Sequence, residues 1–565
     1  MPSGRAFVQS SQGGLTATAY PSGGSVLLSF NLDGQPGDDF AGFAVKCTPP
    51  RSRPYYLVNR LSFETPITSA TKPAQRRWTP SNLAPFQKFR WVEFPAVIEP
   101  GDYTYEITTM HFKVGASLKP GASVQLSFEM TPEKFKDFDL GFTRGYLSSQ
   151  AYAVKFNDAP FRPAGKKTID FDTSPYQKQY EWLGFYARKM VFDFMREAIA
   201  DPSITVDVFA YDLDEPDVIR SLAKLGSRLR LFLDNSAGHV EQGAPEIQAL
   251  AVLTQSAGAD RVKTGHFKRF AHNKVFIQKR NGDPIKVLTG SANFSVRGLY
   301  VQANNVLVLS DPHVASLYEQ AFNQAFNDPT KTQSGFARSE IASGYFEIQG
   351  AELPQGSVAF SPHANPLISL QPVADAIDAA DSSVMFAVME LGGTGPVLDR
   401  IRHLDKQKIF TYGVTQSAKN LGLFKPGSNR ARVLPFAFLE EKVPPPFKKE
   451  WSGGPGQVVH HKFVVVDFND SDPVLFTGSS NLAAGGENEN GDNLIAILDR
   501  GIAAAYAVEA VRLLDHYDFR HKMQSATKVQ PLRLKGPDDK PRWWAPYFDP
   551  NHIKFKDRLL FSKSV

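Results

Sequence analysis

The sequence predicts an α/β protein with a body of two lobes, each a mixed sheet flanked by helices, preceded by an N-terminal antiparallel β-sandwich. Three observations support this. Apolar residues alternate up to about residue 130, strand and helix patterns alternate after residue 175, and a polar motif occurs twice. We expect the sandwich at residues 1–150 and the lobes at 170–335 and 345–525. An aromatic C-terminal tail, residues 526–565, is expected to pack on the body.

The composition indicates a globular protein. Of its 565 residues, 42% are hydrophobic, 21% charged and 12% aromatic, which argues against a mainly disordered or collagen-like chain. The net charge is only +5, and no long basic run suggests a nucleic-acid arm or a polybasic membrane anchor. The single cysteine, Cys47, excludes an intrachain disulfide. Because we find no secretory signal and no transmembrane segment, we expect a cytoplasmic protein, with a processed secreted form as the alternative.

The N-terminal region has the period-two pattern of half-buried strands. It is clearest in Ser25–Leu32, Tyr103–Thr108 and Ser123–Phe128, and turn signals such as Asp33-Gly34 separate the runs. This pattern resembles fibronectin type III or immunoglobulin-like modules. It does not indicate what the module does.

The segments after residue 175 alternate between helix and strand. A helix is predicted at 180–199, a strand at 204–211, a helix from about 214 and a strand at 229–233. The same order returns in an apolar run at 383–391, a helix from Pro396 and a strand at 408–412. This recurrence suggests a duplication.

A polar constellation supports the duplication. The first copy is His272-Asn-Lys274 followed by Gly290-Ser291-Ala-Asn293, and the second is His460-His-Lys462 followed by Gly478-Ser479-Ser-Asn481. Each of these histidines, lysines, glycines and asparagines in the second copy lies 188 residues after its counterpart. Residues two apart on a strand share a face, so the first histidine and the lysine should project together and His461 should point away. An imidazole, a cation and neutral donors form a set suited to a phosphate.

The motif that these residues form resembles that of the phospholipase D superfamily, which is H-x-K-x4-D followed by GSxN. The second copy fits fully, with Asp467 in place, whereas Lys279 stands where the first copy would have its aspartate. The resemblance implies a phosphohistidine mechanism in which His272, Lys274, His460 and Lys462 are catalytic. It also implies that Ser291, Asn293, Ser479 and Asn481 bind or support the substrate phosphate, with no metal and no cofactor. A single site requires the two imidazoles to face each other across about 5–7 Å.

The family also places an acidic residue after GSxN to orient the motif histidine. Asp492 follows His460 by 32 positions and Asn304 follows His272 by 32. We therefore expect Asp492 to contact His460 and Asn304 to contact His272. A carboxylate raises a histidine pKa more than an amide does, so His460 is expected to start as the acid and His272 as the nucleophile.

The favoured function is a metal-independent phosphodiesterase, a hydrolase or transphosphatidylase acting on phospholipid. A nuclease cleaving DNA or RNA is the first alternative, and a binding or scaffold protein with a degenerate site is the second. The expected partners are therefore a phospholipid or a nucleic acid and a transiently contacted membrane surface. The sequence leaves the oligomeric state open.

Overall fold

The computed structural model describes residues 7–71, 75–95, 98–115, 117–130, 133–163, 168–328, 335–407, 409–416, 432–435, 447 and 458–562. Within them the chain forms two four-stranded antiparallel sheets, two eight-stranded mixed sheets and a two-stranded ribbon. Helices flank the mixed sheets, as predicted. No helix in this part of the chain has the length and hydrophobicity needed to cross a membrane.

The N-terminal sheets follow the predicted alternation. Their strands and the ribbon are β1 (Val8–Gln12), β2 (Leu15–Ser22), β3 (Ser25–Leu32), β4 (Phe40–Thr48), β5 (Tyr55–Tyr56), β6 (Val58–Asn59), β7 (Thr79–Pro80), β8 (Arg90–Glu93), β9 (Asp102–Phe112) and β10 (Leu118–Glu129). The sheet orders are β1-β2-β3-β8 and β10-β9-β4-β5, with β6 and β7 forming the ribbon. In β9, Tyr103, Tyr105 and Ile107 are buried while the residues between them are only partly so. Both sheets contribute to one apolar core.

The C-terminal tail completes this N-terminal core. Trp543, Trp544 and Tyr547 are buried in the same cluster as Phe40 and Phe89. The Trp543 indole N–H donates to the carbonyl oxygen of Phe40 at 3.2 Å. The tail thus packs against the N-terminal sheets through these aromatic residues, while Ile553, Leu560 and Phe561 near its end join the core of the large sheets.

The first large sheet has the order β11-β12-β18-β17-β16-β13-β14-β15. Its elements are β11 (Glu133–Phe135), β12 (Phe138–Phe142), α1 (Ser149–Phe156), α2 (Gln177–Ala200), β13 (Ile204–Ala210), α3 (Pro216–Ala223), β14 (Leu229–Asp234), α4 (Ala237–Val240), α5 (Pro245–Ala257), β15 (Val262–Gly265), β16 (Val275–Arg280), β17 (Asp283–Gly290), α6 (Val296–Tyr300), β18 (Asn305–Leu309) and α7 (Pro312–Phe326). β13, β14 and β15 are parallel to one another, and the other pairs are antiparallel.

The second large sheet repeats this topology in the order β19-β20-β26-β25-β24-β21-β22-β23. Its elements are β19 (Tyr345–Glu347), β20 (Gln355–Ser361), α8 (Leu367–Asp378), β21 (Ser383–Val388), α9 (Pro396–Arg402), β22 (Phe410–Thr415), β23 (Arg432–Pro435), β24 (Phe463–Val466), β25 (Val474–Gly478), α10 (Ala484–Glu489) and β26 (Asp492–Leu498), followed by α11 (Arg500–Ser525) and α12 (Ile553–Ser562). Because each strand has its counterpart at the same place, the two large sheets have the topology expected of a duplication.

One predicted boundary needs correction. The expected sandwich, 1–150, includes β11 and β12, but β12 pairs antiparallel with β18 and belongs to the first large sheet. The reason is that Phe138, Leu140 and Phe142 are buried in the core of the large sheets. The strands of the N-terminal sheets therefore end with β10.

The two motif strands differ at their far ends. Asp467 lies just after β24 in a left-handed turn, with φ 51°, and its carboxylate accepts the backbone N–H groups of 381, 382 and 383. Lys279 is still within β16, and the left-handed position falls two residues later, at Asn281. Lys279 instead contacts Asp207 at 2.8 Å and Glu319 at 3.0 Å. Where Asp467 accepts backbone N–H groups after β24, Lys279 in the longer strand β16 therefore forms ion pairs instead.

Candidate active site

The two His-x-Lys segments lie immediately before the central strands β16 and β24 of the large sheets. In both, the middle residue turns away from the histidine and lysine. Asn273 accepts a hydrogen bond from Asn493, and His461 contacts Glu509 through Nε2 at 2.9 Å. His460 is therefore the imidazole that the second copy presents between the sheets, and His461 belongs to the core beside α11.

The structure brings the two motif histidines together. The ring centroids of His272 and His460 lie 6.5 Å apart, with an angle of 65° between the ring planes. This distance falls within the expected range of about 5–7 Å. His272 is 6% exposed and His460 is 3% exposed, so the gap between their rings is sheltered from bulk water.

The orienting residues are exchanged between the two sheets. His272 Nδ1 lies 2.7 Å from Asp492 Oδ1, and His460 Nδ1 lies 2.9 Å from Asn304 Oδ1. The expected pairing of Asp492 with His460 and Asn304 with His272 is therefore wrong. Each histidine is held by the residue that follows the GSxN segment of the other copy.

Backbone pairing between the two halves explains this exchange. Ala303 and Val459 form a parallel bridge, with the Ala303 N–H donating to Val458 and the His460 N–H donating to Ala303. The equivalent contact at the other side is the Gly491 N–H, which donates to the Phe270 carbonyl at 2.8 Å. The segment before Asn304 thus runs beside the segment before His460, and the segment before Asp492 runs beside the segment before His272.

Both motif lysines are buried beside the imidazoles. Lys462 Nζ donates to the carbonyl oxygen of its own histidine, His460, at 2.7 Å, and Lys274 Nζ donates to that of His272. Burial lowers the pKa of Lys274 to about 8. Burial, followed by the charge of Lys274, holds the pKa of Lys462 well below its usual range. The pocket therefore concentrates positive charge that an anion would neutralise.

The two histidines differ in their electrostatic surroundings. Burial and Lys274 lower the pKa of His272, while Asp492 acts in the opposite direction. Burial, Lys462 and Lys274 hold the pKa of His460 well below its usual range, and its orienting partner is uncharged. Without a bound anion, the neutral form of both imidazoles is favoured.

The glycine of each GSxN segment ends a strand where a side chain would not fit. Gly290 has φ 137° and Gly478 has φ 143°, and a Cβ on either would lie within 2.5 Å of the backbone oxygen of Asn305 or Asn493. The serines that follow hold this junction. Ser291 Oγ donates to Asn304 Oδ1 at 2.9 Å, and Ser479 Oγ accepts the backbone N–H of Asn493 at 3.0 Å.

The motif asparagines have different environments. Asn293 Nδ2 donates to Asp212 Oδ2 at 2.5 Å, which fixes the orientation of this amide and leaves its second N–H for another acceptor. Among the described residues, the buried amide oxygens of Asn293 and Asn481 have no hydrogen-bond partner. The amide of Asn293 is thus held by a side-chain hydrogen bond, and no equivalent bond is seen for Asn481 among the described residues.

A comparison with protein-family models agrees with the resemblance seen in the motifs. Residues 195–326 match the model described as cardiolipin synthase, phospholipase D-like domain. Over these residues the chain is similar to the phospholipase D-like domain. The recognition made from the two motifs is thus confirmed, although the model covers only the first copy. A search of curated proteins gave no significant match.

Several solved structures resemble parts of this phospholipase D-like chain. Nuc, a phospholipase D family member from Salmonella typhimurium, is 22% identical over 24% of this chain and 85% of its own, with a TM-score of 0.21. Phosphatidylserine synthase from Haemophilus influenzae is 13% identical over 57% and 84%, with a TM-score of 0.39. Yeast tyrosyl-DNA phosphodiesterase is 12% identical over 53% and 84%, with a TM-score of 0.30. At these values the likenesses indicate no substrate.

Sequence reasoning missed a second group of residues beside the phospholipase D-like motifs. The Tyr211 ring packs against both His272 and His239, with centroid distances of 4.9 and 4.6 Å. His239 lies between Asp234 at Nδ1, 2.7 Å, and Asp212 at Nε2, 3.0 Å. Although burial opposes it, hydrogen bonding to these carboxylates raises the pKa of His239 to about 10. The ligand atoms of Asp212, His239 and Glu246 lie within 4.8 Å of one another. The spacing of these residues along the chain matches no motif.

Proposed function

We propose that this chain is a metal-independent phosphodiesterase that acts through a phosphohistidine on His272. In this proposal the two large sheets with their helices are the two lobes, and the N-terminal sheets are the predicted β-sandwich. The observation that carries it is the pair of imidazoles facing each other across 6.5 Å, each with a buried lysine that donates to the carbonyl oxygen of the same histidine. A phosphodiester phosphorus placed in that gap would have one imidazole on each side.

The charge of the pocket favours an anionic substrate. Lys274 and Lys462 are at most 1% exposed, and their charges lower the pKa of His460. A phosphodiester anion would relieve this repulsion and raise the pKa of His460, which makes the imidazole a better acid once substrate is bound. We therefore expect His460 to gain its proton when the substrate binds.

The reaction consists of two displacements at phosphorus. In the first, His272 Nε2 forms a bond to phosphorus, the bond to the leaving oxygen breaks, and His460 Nε2 gives that oxygen its proton. In the second, His460 takes a proton from water or an alcohol, whose oxygen attacks phosphorus and releases His272. The net result is hydrolysis or transfer of the phosphoryl ester.

The crossed pairing supports His272 as the nucleophile, for a reason different from the one expected from the sequence. Asp492 accepts the Nδ1 proton of His272, which leaves the lone pair on Nε2. When phosphorus is attached, the ring carries a positive charge that the Asp492 carboxylate stabilises. His460, beside the neutral Asn304, has no such stabilisation and is better suited to transfer a proton.

The non-bridging phosphate oxygens would be bound by the lysines and the motif asparagines. Lys274 and Lys462 supply charge, and Asn293 supplies the amide N–H that Asp212 leaves unused. Asn481 would take the equivalent place in the second copy. Ser291 and Ser479 support the backbone and the orienting residues rather than reaching substrate themselves.

Phospholipid remains the favoured substrate class from the sequence, and DNA or RNA remains the alternative. The assembled imidazoles and lysines argue against a degenerate binding protein, because a site without catalysis has no need to bury four such groups together. The aromatic and basic loop at 442–456, which could form a rim of the entrance, lies outside the described residues except for Phe447.

A product assay tests the proposal. The full chain is incubated in chelator with phosphatidylcholine vesicles, single-stranded DNA, duplex DNA or RNA, beside His272→Ala and His460→Ala. His313→Ala, which removes an exposed histidine at the start of α7, is the matched control. We expect cleavage of one substrate class by the wild type and the control, and at least a 10³-fold loss in both motif variants, on the order reported for loss of a catalytic nucleophile or base. Equal activity in wild type and His272→Ala would refute the proposal.

A further inference from the structure

The group formed by Asp212, His239 and Glu246 lies next to the proposed active site, and of its three members only Asp212, through Asn293, enters the reaction above. It is connected to that site twice, through the hydrogen bond from Asn293 to Asp212 and through Tyr211, which packs on both His239 and His272. Its residues come from the end of β13, from α4 and from the first turn of α5.

We propose that Asp212, His239 and Glu246 bind one divalent transition-metal ion of the Zn²⁺ class. Imidazole nitrogen and carboxylate oxygen together are the ligand set of many zinc sites. Their ligand atoms lie within 4.8 Å of one another, whereas those around a tetrahedral ion with bonds of about 2.1 Å lie about 3.4 Å apart. The site therefore needs a closing movement of at most about 1.4 Å between its ligand atoms.

One contact of His239 is shared with metal-binding imidazoles. Its Nδ1 lies 2.7 Å from Asp234 Oδ1, and this is the carboxylate contact that fixes the ring of zinc-bound histidines. Asp234 is itself held, since its carboxylate accepts the backbone N–H of Ser236 at 2.8 Å and that of Ala271 at 2.5 Å. The Nε2 atom is thus presented to Asp212 in a fixed direction.

Glu246 is the member of the group with the fewest side-chain partners. The residue is only 7% exposed, and within the described part of the chain its carboxylate accepts a hydrogen bond from its own backbone N–H and none from another side chain. Its carboxylate oxygen nevertheless lies in the same group as the ligand atoms of Asp212 and His239. A largely buried glutamate whose carboxylate faces a histidine and a second carboxylate is well placed to bind an ion together with them.

Metal binding replaces a proton. The bond from the ion to His239 Nε2 forms as the proton between Nε2 and Asp212 Oδ1 leaves to solvent, while Asp212 Oδ2 keeps its hydrogen bond to Asn293. Because a proton or a metal can fill the same gap, the metal adds rigidity to Asn293 without being required for the reaction. The side chains of His239 and Asp212 are 10% and 15% exposed, which leaves a route for the ion.

Calorimetric titration of the tag-free full chain with Zn²⁺, without any phosphodiester, tests the proposal. We expect one Zn²⁺ per chain, at least 100-fold weaker binding in His239→Ala and about 10–100-fold weaker binding in Glu246→Gln and Asp234→Asn. His313→Ala should bind as the wild type does. Because Glu246→Gln preserves the shape of the side chain, it carries the test if His239→Ala does not fold.

The facing motif histidines are the competing metal site, so His460→Ala is titrated as well. Binding that persists in His460→Ala and is lost in His239→Ala supports the proposal. The reverse pattern, no binding by the wild type, or unchanged binding in Glu246→Gln would overturn it. Since the readout is binding alone, it stands or falls independently of the proposed phosphodiesterase activity.

Discussion

The Nδ1 atom of His272 lies 2.7 Å from Oδ1 of Asp492, a residue 220 positions later at the start of β26 in the other large sheet. The Nδ1 atom of His460 instead meets the amide oxygen of Asn304 at 2.9 Å. Two imidazoles related by the duplication thus have one anionic and one neutral acceptor. Because of this asymmetry, the two histidines are suited to different roles, His272 to attack phosphorus and His460 to transfer a proton.

Replacing the carboxylate at position 492 should weaken the nucleophile. Asp492→Asn keeps an oxygen that can accept the His272 Nδ1 proton but removes its charge, so we expect about 10–100-fold slower turnover, the difference between a charged and a neutral hydrogen bond. His272 must be neutral to attack, and losing a carboxylate lowers its pKa. The acidic limb of the pH–rate profile should therefore move to lower pH.

The control for this variant is Asp499→Asn, which removes a carboxylate that caps α11 and contacts no motif histidine in the described structure. Its pH profile should match the wild type. An acidic limb of Asp492→Asn that stays in place, or moves upward, would show that Asp492 does not set the protonation of His272.

Covalent phosphorus should be found on one histidine only. After a quench during turnover, we expect the phosphoryl group, with its remaining ester substituent, on His272, because Asp492 stabilises the cationic phosphoimidazole there. Peptide mass spectrometry under alkaline conditions, which preserve phosphohistidine, locates the modification. The same phosphoryl ester on His460 would reverse the assignment of the two roles.

Lys279 should support stability rather than chemistry. It lies five residues beyond Lys274, about 16 Å along the strand, and contacts Asp207, whose side chain is only 1% exposed. Breaking a buried ion pair costs about 3–5 kcal/mol, and since Arg230 also contacts Asp207 we expect Lys279→Met to lose about 2–3 kcal/mol. Restoring the family residue with Lys279→Asp should cost more, because a third carboxylate joins Asp207 and Glu319.

Urea unfolding measures these losses in the free energy of unfolding. The activity per folded molecule of both Lys279 variants should stay within about twofold of the wild type. Lys286→Met is the matched control. Its partner Glu197 has a half-exposed side chain, so about 1 kcal/mol or less is expected. A more stable Lys279→Asp variant would contradict the ion-pair interpretation.

The sequence predicted the motif geometry because that geometry is local. The histidine and lysine share a direction because of strand periodicity. The glycine at the end of the next strand is required because a side chain would not fit, as Gly290 and Gly478 show. The alternation in β9 likewise follows from one buried face. The equal offset of 188 residues further indicated that the two copies have the same environment.

The crossed pairing could not be predicted from spacing. Asn304 and Asp492 each follow a motif histidine by 32 positions, and that number is the same whether the contact is made within a copy or between copies. The decision depends on the bridge between Ala303 and Val459, which is a contact across the two sheets. The group around His239 was missed for a related reason, since three distant segments bring its ligands together.

Asn304→Asp is the most direct test of the asymmetry. The new carboxylate would face His460 Nδ1, now at 2.9 Å from the amide oxygen, and would raise the pKa of His460. His460 must be protonated to release the leaving group, so its deprotonation produces the alkaline limb of the rate profile. That limb should therefore move to higher pH in the variant.

The same change has a structural cost that must be separated from the titration. Asn304 Nδ2 donates to the Gly298 carbonyl at 2.8 Å, and a carboxylate oxygen there would leave two acceptors facing each other, at a cost of about 1–3 kcal/mol. Asn305→Asp is the matched control, because Asn305 is also buried and hydrogen-bonded but contacts Ser291 and Thr477 instead of an imidazole. We expect both variants to lose stability and only Asn304→Asp to shift the alkaline limb. If the limb moves equally in both, or in neither, Asn304 does not control the protonation of His460.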